Sequence, residues 1–75
     1  MMVTLEQAKK TFHKMVDEAP RKYTIEKIWE IQFEDPIYAM VVHDDDGVQY
    51  FPGEVFPSIN KKDGSLTDWS FPEMG

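Results

Sequence analysis

The sequence predicts an α+β fold: one N-terminal helix packed on an antiparallel meander sheet of about four strands, in two layers. Three observations predict it. Apolar residues near the N-terminus recur every three or four positions, apolar residues after position 23 recur every second position, and two Asp-Gly pairs punctuate the extended stretches that follow. At 75 residues the chain has room for one core, so residues 1–75 are read as a single domain, with 72–75 as a loose tail.

The helix opens at Thr4, whose hydroxyl can cap, with Gln7 three residues on to reach back. Leu5, Ala8, Phe12, Met15 and Ala19 then form one apolar stripe, with Lys10, Lys14 and Asp17 opposite. Pro20 stops it, because the residue before a proline is pushed out of the α region. From Tyr23 to Glu34 the period is two. Trp29, Ile31 and Phe33 share a face and are expected to meet the helix stripe, while Lys27-Ile28 breaks the alternation and suggests a bulge. Glu34-Asp35-Pro36 is a turn. Ile37–Val42 is apolar on both faces and should lie mid-sheet. Asp45-Asp46-Gly47 closes the next hairpin, since Asp-Gly tolerates positive φ. Val48–Phe51 returns, Pro52-Gly53 interrupts, and Val55–Asn60 resumes either at an edge or as irregular extended chain, because Pro57 cannot donate to a ladder. Lys61–Gly64 is a second turn. Ser65–Phe71 is the candidate last strand, with Thr67, Trp69 and Phe71 on one face.

Charge is unevenly placed. The net charge is −6, which disfavours nucleic acid as a partner. Residues 1–27 carry six Lys/Arg against four Asp/Glu, whereas residues 28–60 carry seven Asp/Glu and no Lys or Arg. Such an imbalance either serves the solubility of a small domain or forms an acidic sheet face that steers a basic protein partner. Glu30, Glu34, Asp44, Asp45, Asp46 and Glu54 are the candidate steering residues, with Tyr50 and Trp69 as aromatic anchors.

Other chemistry finds little footing. Aligning Gly47 with the glycine of a calcium-binding loop puts Val42 and Gly53 at ligand positions, so Asp44–Asp46 read as a solvated turn. His13 and His43 have no cysteine beside them and no metal-ligand spacing. Ser58, Ser65 and Ser70 lie in no nucleophile-elbow pattern. No cofactor, no metal and no enzymatic role are expected. The absence of cysteine, of an N-terminal apolar leader and of a membrane-length apolar run predicts a cytoplasmic protein away from the membrane.

The opening Thr4-Leu5-Glu6-Gln7-Ala8, the aromatic strand at Tyr38 and the run Pro57-Ser58-Ile59-Asn60-Lys61-Lys62-Asp63-Gly64-Ser65-Leu66 resemble the small YrhB-like bacterial immunity proteins. That resemblance implies a domain that neutralises a toxin by binding it. The last hairpin also resembles one half of a PepSY domain, a module linked to protease inhibition. A protein-binding module is therefore expected. The alternative is a structural domain that self-associates through a sheet edge at Val55–Asn60 or Ser65–Phe71.

Overall fold

A computed structural model describes residues 2–32 and 34–68. Helix α1 spans Leu5–Glu18, and five strands follow: β1 Tyr23–Ile31, β2 Ile37–Asp44, β3 Gln49–Tyr50, β4 Ser58–Asn60 and β5 Leu66–Thr67. The capping box closes as the sequence predicts. Thr4 Oγ1 accepts from the Gln7 N–H at 3.2 Å, and Gln7 Oε1 accepts from the Thr4 N–H at 2.9 Å. Two otherwise orphaned donors of the first turn are thereby satisfied. Ala19, extended at ψ 148°, ends the helix before Pro20.

The sheet is antiparallel, in the order β1-β2-β4-β5, with β3 pairing β2 beside β4. Strands β3 and β4 are one return strand cut by an excursion. Tyr50 lies opposite Val42 and Ile59 lies opposite Tyr38, both antiparallel to β2. Pro52-Gly53 makes the cut: Gly53 donates to the Phe56 carbonyl and Glu54 to that of Phe51. The predicted interruption is therefore present, but the resumed strand is not the expected edge: β4 lies between β2 and β5, because Pro57 falls just before its first residue and removes no ladder donor within it. The last strand is shorter than expected, ending at Thr67, and Phe33, Trp69 and Phe71 lie outside the described residues.

The helix lies over β1 and β2. The core joins Ala8 and Phe12 to Tyr38, Met40, Val42 and Ile59, with Met15, Val16, Tyr23, Ile25, Ile28 and Phe56 packed against it. The backbone measures 37 × 33 × 16 Å, and the thin axis is one helix on one sheet.

Two expectations about that core are corrected. Trp29 and Ile31 do not meet the helix. Ile25 pairs with Val42, but Lys27, not Glu26, pairs with Val41. The extra residue reverses the alternation downstream. Tyr23, Ile25 and then Ile28 face the helix with Val42 and Met40, while Trp29 and Ile31 join Ala39 and Ile37 on the other face. Leu5 is the second correction: at 39% exposure it stands at the margin of the stripe, whereas Phe12 is fully buried.

Candidate functional site

The predicted acidic set is divided by the fold. Asp45 and Asp46 stand on the β2–β3 turn, Glu34 and Asp35 on the β1–β2 turn, at opposite ends of the eight-residue β2. Eight residues of strand separate them by about 26 Å. They form two sites rather than one face.

Asp44 explains how the first turn is built. It is 5% exposed. Its Oδ1 accepts from the backbone N–H groups of Asp46 and Val48, both at 2.9 Å, and its Oδ2 accepts from the Tyr50 hydroxyl at 3.0 Å. The Arg21 guanidinium lies 3.9 Å from Oδ2. These donors, the Val48 N–H foremost, hold the Asp44 carboxyl below its ordinary range, against the opposing effect of burial. The same bond to Asp44 pushes the Tyr50 hydroxyl up. Gly47 closes the turn at φ +81°, its N–H donating to the Asp44 carbonyl. A type I turn followed by a left-handed glycine is the common three-residue hairpin. Asp44 is thus committed to the fold, and the turn it holds presents the exposed Asp45 and Asp46.

Tyr50 is held likewise. It is half-buried and meets Tyr23 edge-on at 5.9 Å, and Tyr23 in turn meets Phe56 at 5.2 Å. Glu30 lies on the helix face opposite Tyr38, and its Oε1 accepts from Lys61 Nζ at 2.7 Å. That bond is the main reason the Lys61 amine is raised. Glu54 Oε1 accepts from the Phe51 N–H at 2.7 Å and so clamps the excursion between β3 and β4. Glu34 is exposed, and Trp69 lies outside the described residues.

Sequence reasoning missed a polar cluster at the bulge. Glu26, the extra residue, meets His43 Nδ1 at 3.0 Å through Oε1 and accepts from Gln49 Nε2 at 2.6 Å through Oε2. One side chain thus ties β1 to β2 and β3. The break at Lys27-Ile28 was its only signal. Among the described residues no group of three or more His, Cys, Asp or Glu is placed to hold a metal ion, and no helix is long and apolar enough to cross a membrane.

No protein-family model, no curated protein and no solved structure matches this chain.

Proposed function

We propose that this chain is a protein-binding module of the immunity type, which engages a basic protein through the β2–β3 turn. One observation carries the reading. The Lys/Arg-free span 28–60 places Asp45 and Asp46, both exposed, on a turn braced by the carboxylate of Asp44 and by Tyr50. Charges on a braced turn lose little conformational freedom when a partner binds, which favours affinity. Exposed acids such as Asp45 and Asp46 also raise the association rate of a cationic partner. The inhibitory character rests on the resemblance of the helix opening and the last hairpin to immunity proteins, and no catalytic role is assigned.

The test is capture from the native host. Immobilised wild-type chain should retain a basic protein, identified by mass spectrometry and then titrated in pure form. Asp45→Lys/Asp46→Lys should weaken that titrated affinity at least about tenfold, with the loss smaller at high salt. An unchanged affinity, or a captured set identical for both proteins, refutes the reading. Asp44 is left intact because its loss would open the turn.

A further inference from the structure

We propose that the sheet face opposite the helix is the docking surface for the chain's own C-terminal segment, residues 69–75, with the Trp69 and Phe71 rings closing it as a second apolar layer. The burial of β2 carries the inference. Tyr38, Met40 and Val42 are buried on the helix side. Ile37, Ala39 and Val41 alternate with them and face the other way, yet they are only 4%, 0% and 6% exposed. An antiparallel strand with one face in water alternates between buried and exposed residues, and β2 does not. Ser58, on the same outer face, is buried as completely as Ala39. Among the described residues there is one helix and one sheet, so no second layer accounts for this. The burial is that of a single chain, and the cover therefore belongs to the chain itself.

Position selects the segment. The rest of the chain is Met1, Phe33 and residues 69–75. Trp29, Phe51 and Thr67 each have a partner outside the described residues, and all three border the outer face. Thr67 pairs with Ser58, the register carries Ser58 to Ala39, and Ala39 pairs with Trp29. One row thus crosses the sheet from β5 to β1. Phe51, one residue past the Val42–Tyr50 pair, flanks Val41 and lines a shallow cavity with it and Trp29. Met1 precedes Val3, which packs on the helix-side core. Phe33 follows the Ile31–Ile37 pair, about 13 Å along β2 from Val41, too far for one ring to cover both ends. Residues 69–75 leave the sheet just after Thr67, at the start of the row. Crossing three strand spacings takes about 14 Å, and seven extended residues reach about 23 Å. Period-two continuation from Thr67 also directs Trp69 and Phe71 to the outer face. Aromatic rings bury the most apolar area per residue, which is what a short segment needs to hold a sheet face.

Methyl NMR of the full chain tests this without any binding partner, so its outcome is separate from that of the turn at Asp45-Asp46. In the wild type, the Ala39 methyl should show nuclear Overhauser contacts to the Trp69 or Phe71 ring. A soluble gadolinium chelate should relax the Ile37, Ala39 and Val41 methyls as little as those of Met40 and Val42. In Trp69→Ser/Phe71→Ser, the relaxation of the first three should rise severalfold, while Met40 and Val42 stay protected and report that the helix side is intact. If that variant fails to fold, the wild-type contacts decide alone. Outer-face methyls already open to the chelate in the wild type overturn the proposal, as does protection unchanged in the variant. Protection lost on dilution would assign the cover to a second copy and overturn it equally.

Discussion

Replacing Phe12 by alanine tests the layer arrangement most directly. Phe12 is fully buried in one cluster with Ala8, Tyr38, Met40, Val42 and Ile59, residues drawn from the helix, β2 and β4. Truncation removes the transfer free energy of the ring and leaves a cavity that β2, hydrogen-bonded on both sides, is poorly able to close. The expected cost is about 3–5 kcal/mol. A domain of this length has a total stability of about 4–11 kcal/mol, so Phe12→Ala should remove about a quarter of it or more. The thermal midpoint should fall by about 4–8 °C per kcal/mol. Lys14→Ala, on the exposed side of the same helix, should cost about 0.5 kcal/mol or less. Urea unfolding followed by far-UV circular dichroism measures both. If Phe12→Ala proves too unstable to handle, Phe12→Leu, which keeps most of the volume, should cost at most about 1.5 kcal/mol and still rank above Lys14→Ala. Equal, small effects at positions 12 and 14 would mean that the helix does not dock through Phe12.

Acid should unfold the protein partly through Asp44 and Asp63, whose carboxyls are both held below their ordinary range, Asp63 chiefly by the Ser65 N–H. A lowered folded-state pKa means that the unfolded chain binds more protons. The stabilisation is therefore complete above the unfolded value and is lost as pH falls, from about pH 4 downward. Urea midpoints collected across that range should drop less steeply in Asp44→Asn, and an identical slope would remove Asp44 from the acid limb. Gly47→Ala should cost about 1 kcal/mol, because the new Cβ meets open space and only the φ of +81° is strained. Gly64→Ala should cost more, since its Cβ would lie 3.1 Å from Val3 Cγ2 at φ +77°. Thermal melts of the two variants check that order.

Local chemistry made most of the architecture readable in the sequence. Thr4 and Gln7 satisfy each other within one turn, the Phe12 stripe has helical period, and Asp46-Gly47 and Asp63-Gly64 supply positive φ where hairpins turn. The six apolar residues Ile37–Val42, buried to the last, announced a central strand. These features depend on neighbours a few residues away, so a linear reading reaches them. The face of Trp29 and Ile31 did not follow, because a sheet alternates with period two and a single extra residue at Glu26 inverts every side chain beyond it. The roles of the acids were hidden for a related reason. A carboxylate looks the same in a sequence whether it faces water or a donor. Only the folded chain brings Arg21, Val48 and Tyr50 to Asp44 and carries Lys61 across 31 residues to Glu30. Composition determined that the sheet region is acidic. Tertiary structure decided that Asp44 is buried while Glu34, Asp35, Asp45, Asp46 and Glu54 stay exposed, because a carboxylate can be buried only where the folded turn aims donors at it.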